Sequence, residues 1–158
     1  MTESQKLEQD WETPSLEEIP VISRAHVHAL EASDDDATWI QGGQVLVLVR
    51  TIGRRSGREH LVPLPVWRDA DGHRIVVASF AGAPQHPAWY LNLRDRADAE
   101  VLVRVQGGRY WSVPEILEGE DYERMWEQLT ADRAWYKDYQ AKTDRRIPLV
   151  RLAEHRPA

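Results

Sequence analysis

The feature that most constrains the fold is a short run of apolar residues with a glycine signal at each end. Residues 45–49 read Val-Leu-Val-Leu-Val, after Gly42 and Gly43 and before Gly53. A continuous β-branched and aliphatic run of this length, bounded by turn residues, predicts a strand buried on both faces. Such a strand needs partners, because each of its edges carries backbone groups that must be hydrogen-bonded.

Partner strands are predicted along the rest of the chain. Residues 61–67 form one of them, and Pro63 and Pro65 place it at a sheet edge or beside a bulge because proline cannot donate to a ladder. Further strands are predicted at residues 73–80, 101–105, 110–116 and 147–152, with hairpin turns at residues 69–72 and 106–108. Helices are predicted at residues 21–30, 87–94 and 121–142, the last from apolar residues three, four and seven apart. The pattern predicts an antiparallel barrel or sandwich, mainly β with α, and flanking helices.

The length of 158 residues predicts one folded domain, because a single core occupies about 100–200 residues. Residues 1–20 are acidic and polar with little periodicity. They predict a tail that is disordered unless it docks on the rest of the protein. Residues 21–158 then form the single domain.

Composition excludes several classes of function. A formal net charge of −6 argues against general nucleic-acid binding, which depends on neutralising phosphates. The absence of cysteine excludes disulfides, thiolate metal sites and a cysteine nucleophile, and only His26 and His28 of the six histidines lie close in sequence. We expect no metal site. No apolar run has the length of a membrane-spanning helix and no signal peptide is visible, so we expect a cytoplasmic protein without integral membrane association.

The most informative local feature is an arginine-rich turn between two predicted strands. Its members are Arg50, Arg54, Arg55 and Arg58, with Gly53, Ser56 and Gly57 between them. Glycines let the backbone approach a ligand closely, and guanidinium groups grip phosphate or carboxylate in a bidentate fork. The turn therefore predicts an anion site. The alternative is a solvated basic hairpin that only keeps a sheet edge soluble.

Two aromatic segments are candidates for contact with a planar ligand. In residues 78–93 a strand leads through a loop rich in glycine and proline into a helix. Such a loop presents backbone amides and carbonyls that can bind the edge of a ring. For Trp89 and Leu93, packing at a barrel corner is the favoured alternative. Tyr136 and Tyr139 share a helix face, where a phenol can donate to a carbonyl or nitro oxygen, and core packing is the alternative there too.

In chain order, five sets of residues resemble the deazaflavin-dependent nitroreductase family. They are Thr51-x-Gly53-Arg54-Arg55-Ser56-Gly57, Pro63-Leu64, Ala78-Ser79, His86-Pro87-x-Trp89-Tyr90-x-Asn92-Leu93, and Tyr136-x-x-Tyr139-Gln140 with Arg146-Ile147-Pro148. The resemblance runs from Gln44 to Leu152. It implies a split β-barrel and coenzyme F420, which carries a phosphate and an oligoglutamate tail. It also implies an oxidoreductase that transfers a hydride from reduced F420 to an electron-poor organic acceptor of the enone, quinone or nitroaromatic type.

The resemblance implies the site residues as well. The expected coenzyme-binding residues are Arg54, Arg55, Ser56, Gly57, Arg58, Pro63, Leu64, Ala78, Ser79, Trp89, Tyr90 and Asn92. Tyr136 and Tyr139 are expected to wall the acceptor pocket and orient the acceptor oxygen, while Ser79 contacts the deazaflavin ring. Pro65, Phe80 and Arg133 depart from the residues that better-known members usually carry, so the acceptor preference stays open.

Three alternatives remain beside this interpretation. A split-barrel reductase that uses FMN would need a phosphate site but fewer arginines. A non-catalytic F420 carrier would bind the coenzyme without oxidising it across any acceptor. A barrel for protein interaction would use the arginine turn to bind an acidic partner. The fold also makes a homodimer an expectation, since split barrels often dimerise.

Overall fold

The computed structural model describes residues 5–158, so the first four residues of the predicted tail lie outside the described part of the chain. The strands are β1 (Ile40–Gln41), β2 (Gln44–Ile52), β3 (Glu59–Pro65), β4 (Trp67–Arg68), β5 (Arg74–Val77), β6 (Val101–Val105), β7 (Gly108–Ser112), β8 (Glu115–Ile116), β9 (Leu149–Arg151) and β10 (Glu154–Pro157). The helices are α1 (Glu18–Ala32), α2 (Asp36–Trp39), α3 (Ala88–Asp95), α4 (Gly119–Asp132) and α5 (Trp135–Ala141), with a 3₁₀ turn at Phe80–Gly82.

The strands form two sheets in which every pairing is antiparallel. The larger sheet has the order β1-β2-β6-β7-β10, with β3 also paired to β2, and the smaller has the order β4-β5-β9-β8. Strand β2 is central, because residues 48–50 pair with β3 and also with β6. Its predicted burial on both faces is confirmed at Leu46, Val47, Leu48 and Val49, each no more than 5% exposed, but is wrong at Val45, which pairs with the two-residue strand β1 and is 49% exposed. The predicted antiparallel arrangement with flanking helices is confirmed.

Strand β3 lies at a sheet edge, as Pro63 and Pro65 predict. It pairs with β2 alone among the described strands, at Pro63 opposite Leu48 and Pro65 opposite Leu46. A proline nitrogen is tolerated there because the other edge of the strand has no ladder to complete. The free edge leaves β3 available to line a cavity.

The core lies between the two sheets. Val47 and Val49 of β2 and Val103 of β6 meet Val76 of β5 and Val150 of β9, and all five are buried. A second cluster, under α4 and α5, is built from larger side chains. It contains Trp67, Ile75, Leu117, Tyr122, Met125, Leu129, Trp135, Tyr136, Tyr139, Ile147 and Leu149. Because this aromatic cluster adjoins the sheets, tyrosines of α5 can face both the core and a cavity.

The prediction of one long helix at residues 121–142 is wrong, because the helix is interrupted at Arg133, between α4 and α5. Arg133 has φ −131° and ψ 70°, and it forms an isolated parallel bridge with Leu7. Arg133 as a whole is 3% exposed. Its guanidinium donates from Nη1 to Gln44 Oε1 at 2.8 Å and from Nε to the Gln5 carbonyl at 3.1 Å. Apolar periodicity continues through the break, so it could not reveal an interruption caused by these distant partners.

Other element boundaries also differ from prediction. The strand expected at residues 73–80 ends at Val77, and the strand expected at 110–116 divides into β7 and β8. Strand β10 was not predicted, because its charged and proline residues lack an apolar pattern. These differences leave the order of strands unchanged.

The N-terminal segment, residues 5–17, lies against the barrel. The Leu7 amide donates to the Asp132 carbonyl at 2.9 Å, and Leu7 and Trp11 pack on the aromatic cluster. The sequence predicts a polar tail at residues 1–20 that is disordered unless it docks on the rest of the protein. Residues 5–17 lie in such a docked position. Within residues 5–158, no helix combines the length and apolar character that crossing a bilayer requires.

Candidate active site

A cavity of about 560 Å³ opens beside the free edge of β3. Its walls come from the turn between β2 and β3, the loop after β5, the start of α3, helix α5 and the N-terminal segment. One end carries the polar groups of Arg54, Arg55 and Ser56 and is called the arginine end. The opposite end carries Trp11, Trp135, Tyr136 and Tyr139 and is called the aromatic end.

The turn at the arginine end is closed by its own backbone. The Gly53 amide donates to the Arg58 carbonyl at 2.8 Å, and the Gly57 amide donates to the Gly53 carbonyl at 2.9 Å. Gly57 has φ +69°, a left-handed conformation that favours glycine. Gly53 is required for a different reason: a Cβ there would lie 2.6 Å from Ser56 Oγ and 2.8 Å from His60 Nε2. Two polar side-chain atoms therefore converge on the backbone at Gly53.

Asn92 of α3 fixes the position of this turn. Its side chain is 5% exposed, and Oδ1 accepts hydrogen bonds from both the Arg54 amide and Arg54 Nη1, each at 3.1 Å. Its Nδ2 donates to Thr51 Oγ1 at 3.2 Å. Arg54 is thus fixed in position by a residue of α3. Arg55 is exposed and lines the cavity, and no described residue makes a hydrogen bond or ion pair with its side chain.

The loop after β5 has an unusual backbone. Phe80, Ala81 and Gly82 have φ values of 46°, 53° and 80°, so two non-glycine residues adopt left-handed conformations that cost about 1–3 kcal/mol each. The loop turns Ser79, Phe80 and Ala81 toward the cavity. The strained backbone explains why the predicted strand at residues 73–80 stops early.

Arg145 holds this loop from outside the cavity. Its guanidinium donates to the carbonyls of Ala83 at 2.9 Å, Ala78 at 3.1 Å and Ser79 at 2.8 Å. It also lies 3.2 Å from His86 Nδ1. Burial and the charges of Arg145 and Arg94 lower the pKa of His86, so the imidazole is neutral and its Nδ1 can accept from Arg145. Sequence analysis missed Arg145, which stands in no recognised motif.

The aromatic end is a chain of touching rings. Tyr136 and Tyr139 lie 6.0 Å apart, centroid to centroid, at 77°. Trp135 contacts Tyr136, and Trp11 packs edge-on against Trp135 with centroids 5.0 Å apart. Thr13 Oγ1 lies 3.1 Å from the Tyr139 hydroxyl. The N-terminal segment therefore completes this end of the cavity.

Burial raises the pKa of Tyr136 to about 12, and the nearby Arg133 guanidinium offsets part of that increase. A phenol with this pKa stays protonated throughout the neutral range. Its hydroxyl is therefore available as a hydrogen-bond donor and resists becoming an anion. This is the property that a group orienting a carbonyl oxygen needs.

The structure brings most of the predicted site residues together. Arg54, Arg55, Ser56, Pro63, Leu64, Ser79, Trp89, Asn92, Tyr136 and Tyr139 all line the cavity. Four predicted residues do not line it, namely Gly57, Arg58, Ala78 and Tyr90. Ala78 is fully buried, and Tyr90 lines a separate cavity of about 270 Å³ with His86, Glu118 and Arg146.

Sequence reasoning missed several lining residues. They are Trp11, Pro14, Ile19, Ser23, Gln44, His60, Phe80, Ala81 and Trp135, among others. Trp11 carried a visible signal, since it is a tryptophan within an otherwise polar stretch. His60 carried another, because it follows the arginine turn by two residues. The remainder have ordinary residue types and were not distinguishable from core positions.

The donors and the shape of the cavity fit the expected coenzyme. Exposed Arg55 and Ser56 suit a phosphate and carboxylates, and the glycine at position 53 lets Ser56 Oγ and His60 Nε2 approach the backbone of the turn. The walls between the two ends are apolar, as a planar ring requires. A fold of two antiparallel sheets with such a cavity defines the class of split-barrel flavin and deazaflavin oxidoreductases.

Comparison with known proteins identifies the family within that class. The sequence model of the F420H(2)-dependent quinone reductases matches residues 22–154, and the chain belongs to this family. A similar protein is the F420H(2)-dependent quinone reductase Rv1261c of Mycobacterium tuberculosis (strain ATCC 25618 / H37Rv). It is 32% identical over 114 residues, which cover 72% of this chain and 76% of that protein.

Two solved structures support the fold. The structure of an F420-H2 dependent reductase (FDR-A) matches with a TM-score of 0.58 and 34% identity, covering 68% of this chain and 93% of that one. A structure described as a domain-swapped dimer matches with a TM-score of 0.61 and 29% identity, covering 82% and 96%. The predictions of family, split β-barrel, oxidoreductase class and F420 as coenzyme are confirmed.

Proposed function

We propose that this protein reduces a quinone with F420H2, which binds along the cavity with its anionic tail at the arginine end. The observation that carries the proposal is that one cavity has two chemically different ends. The arginine end has exposed cationic and hydroxyl groups, and the aromatic end has a pair of tyrosines. A ligand that is multiply anionic at one end and planar at the other matches this arrangement. The protein's part is to bind, to orient and to exclude water.

At the arginine end, Arg55 and Ser56 bind phosphate or carboxylate oxygens. Arg54 contributes its remaining donors, while Asn92 Oδ1 fixes its guanidinium through one hydrogen bond from Nη1 and its backbone through one from the amide, each of 3.1 Å. A guanidinium already held in place loses less conformational entropy on binding. Arg58 lies on the outer side of the turn, so its contribution is limited to long-range attraction.

Between the ends, Pro63 and Leu64 of β3 face the loop that carries Ser79, and Trp89 closes the space at the start of α3. When bound there, reduced F420 supplies a hydride. Ser79 contacts the edge of the ring, and the apolar walls exclude water from the reacting atoms. The partly buried Arg145 hydrogen bonds hold this loop in its left-handed conformation.

At the aromatic end, Tyr136 and Tyr139 orient the oxygen of the acceptor. Reduction to the hydroquinone requires one hydride and one proton, and the coenzyme is oxidised by two electrons. Tyr136, whose pKa is raised to about 12, donates a hydrogen bond and keeps its proton. The proton for the acceptor oxygen passes through Tyr139, whose hydroxyl lies 3.1 Å from Thr13 Oγ1, or arrives from water at the cavity mouth.

A quinone is favoured over other acceptors because relatives that match most of the chain are named quinone reductases. Flat rings suit the edge-on aromatic groups at this end, where Trp11 meets Trp135 at 78°. The acceptor's ring then stacks between the aromatic end and the coenzyme ring.

The experiment begins with equilibrium titration of F420 and of FMN, followed by the loss of F420H2 absorbance with a quinone, an enone and a nitroaromatic. We expect F420 to bind and FMN not to, with the quinone turned over fastest. The Tyr136→Phe/Tyr139→Phe double variant should bind F420 normally and lose acceptor turnover. Unchanged turnover in that variant would remove the tyrosine role, and F420 binding without turnover of any acceptor would favour a carrier.

A second copy of this chain is also proposed as a partner. The support is a solved relative, 29% identical, that is described as a domain-swapped dimer. Light scattering during gel filtration distinguishes the two states, because a dimer has twice the chain mass of 18.2 kDa. A monomer at every concentration tested would contradict this proposal.

A further inference from the structure

Gln44, the first residue of β2, lies at the aromatic end of the cavity. Its backbone pairs with Gln41 of β1, and the residue lines the cavity although it is only 7% exposed. Gly42, two residues earlier, packs so closely on Trp11 that a Cβ there would lie 3.1 Å from the indole ring. The Gln44 side chain is therefore a nearly buried polar group beside the rings that form this end.

Arg133 fixes the orientation of the Gln44 amide. Arg133 Nη1 donates to Gln44 Oε1 at 2.8 Å, and Arg133 Nε donates to the Gln5 carbonyl at 3.1 Å. The same guanidinium lies 5.9 Å from the centre of the Trp135 ring. Because a guanidinium only donates, the amide atom that faces it is the oxygen, and the amide nitrogen takes the other branch of the side chain.

The amide nitrogen has no partner within the protein. No described residue accepts a hydrogen bond from Gln44 Nε2. This nitrogen is also not enclosed by the core, since Ser112 Oγ and Arg151 Nε alone, among the fully buried side-chain atoms of the described residues, lack a hydrogen-bond partner. The two N–H groups of the amide are therefore open to the cavity. A nearly buried donor in this position is unfavourable until an acceptor atom reaches it.

We propose that Gln44 binds a carbonyl oxygen of the acceptor and makes the site selective for a ring that carries two carbonyls. The inference rests on the proposed function, because the acceptor is the quinone assigned there. Tyr136 and Tyr139 orient one oxygen, and the Gln44 amide donates to the other. A cyclic enone has one carbonyl and leaves one set of donors unpaired. A site built to hydrogen-bond a substrate group discriminates against an analogue that lacks that group.

The amide also suits the charge that develops during reduction. The hydride carries two electrons from the reduced coenzyme to the quinone, and the quinone oxygens hold the added negative charge until one proton arrives. A fixed amide donor stabilises this charge and keeps its own hydrogens. Arg133 acts as a positioning residue, because it holds the amide oxygen and polarises the amide toward stronger donation. The proton follows the route already given, through Tyr139 or from water.

The test measures kcat/KM with F420H2 for naphthoquinone and for cyclohexenone, in the full chain and in three variants. Gln44→Met removes both polar atoms. Gln44→Glu keeps an oxygen for Arg133 and replaces the donor with a second oxygen. The matched control is Gln41→Glu, which makes the same change on β1, where the side chain donates to the Ala37 and Thr38 carbonyls and does not line the cavity.

We expect kcat/KM for naphthoquinone to fall about fivefold to tenfold in Gln44→Met, mainly through a higher KM, and at least as far in Gln44→Glu. For cyclohexenone, Gln44→Met should stay within about twofold of the wild type. The affinity for F420, measured by fluorescence titration, should not change in any variant. Gln41→Glu should reduce both acceptors as the wild type does.

These results separate donation to the acceptor from a structural role. Wild-type reduction of naphthoquinone by Gln44→Glu would show that Gln44 only holds Arg133, and equal losses for both acceptors in Gln44→Met would remove the selectivity. Weaker F420 binding in the Gln44 variants would place the amide against the coenzyme, and an equal loss in Gln41→Glu would make the effect one of charge alone. Each of these overturns the inference and leaves the proposed function intact. A wild-type protein that binds F420 and reduces neither acceptor overturns both.

Discussion

The two ends of the cavity are built in opposite ways. The arginine end comes from one continuous turn, residues 53–58. The Asn92 side chain of α3 fixes this turn through its hydrogen bonds with Arg54. The aromatic end is assembled from distant segments: Trp11 and Thr13 of the N-terminal segment meet Trp135 and Tyr139 of α5. Binding of the coenzyme tail is therefore a local property, whereas the acceptor pocket depends on long-range packing.

This difference has a functional consequence. Substitutions in the N-terminal segment can reshape the acceptor pocket without moving Arg54 or Arg55, because no hydrogen bond joins residues 5–17 to the turn at residues 53–58. The loop at residues 79–82, which lines the same cavity through Ser79, Phe80 and Ala81, is called the shared loop. Variants in the turn, in the segment and in the shared loop should then give three separable effects.

The largest effect is expected from Arg145→Met, which removes the side-chain hydrogen bonds that hold the shared loop. It removes the donors to three carbonyls while keeping most of the side-chain bulk, and it should cost about 3 kcal/mol of unfolding free energy. Urea denaturation measures the loss. The neighbouring Arg146→Met is the control, since Arg146 stacks 3.8 Å above the Tyr122 ring from an exposed position and should cost under about 1 kcal/mol. Equal losses in both variants would refute the role of Arg145.

Asn92→Ala should affect the arginine end alone. The turn would lose both hydrogen bonds to Arg54, and we expect F420 affinity to fall about tenfold, equivalent to about 1.4 kcal/mol. At saturating coenzyme the acceptor KM should not change. Asn92→Asp retains the accepting oxygen and should lose less. A change in acceptor KM without a change in coenzyme affinity would contradict the separation of the two ends.

The buried tyrosine of the aromatic end should be visible in alkaline stability. The folded-state pKa of Tyr136 is about 12 and the unfolded value is near 10, so its contribution is present below pH 10 and is lost as pH rises toward 12. We expect the wild type to lose about 1 kcal/mol more than Tyr136→Phe between pH 8 and pH 11, measured by urea unfolding. Identical losses would mean that the Tyr136 phenol is not buried.

The smallest effect is expected from Thr13→Val, which removes the partner of the Tyr139 hydroxyl. Thr13→Val also removes the acceptor of Gln9 Nε2 at 3.0 Å, but Gln9 does not line the cavity. Loss of the hydrogen bond to Tyr139 is worth about 0.5–1 kcal/mol, so the acceptor KM should rise about threefold while F420 affinity stays constant. In a double-mutant cycle, Thr13→Val and Tyr139→Phe should be less than additive. Full additivity would show that the two hydroxyls do not act together.

The same contrast explains what could be predicted from the sequence. The apolar run of β2 and the prolines of β3 are local signals, so the sheet centre and its edge were predictable. The arginine turn is also a local signal, and its residues Gly53, Arg54, Arg55 and Ser56 line the cavity, while its anion-binding role stays a prediction. The break at Arg133 was not, because it is imposed by contacts with Gln5, Leu7 and Gln44 that lie far away in the chain.

Site residues followed the same rule. Asn92 was predicted by resemblance, but its hold on Arg54 emerged from the fold. Arg145 and Trp11 act through segments that no motif connects to the cavity. Tyr90 is adjacent to Trp89 in sequence but lines a different cavity, because neighbouring residues on a helix face different sides.

The central claim, that the turn binds an anionic coenzyme tail inside the cavity, is tested most directly by titrating F420 against Arg55→Ala and Arg58→Ala. Both variants remove one positive charge from the same turn, but Arg55 lines the cavity and Arg58 does not. We expect Arg55→Ala to weaken binding by about 1–3 kcal/mol and to reduce its dependence on salt, with Arg58→Ala close to wild type. Equal affinity for the wild type and Arg55→Ala, at low and at high ionic strength, would contradict the account.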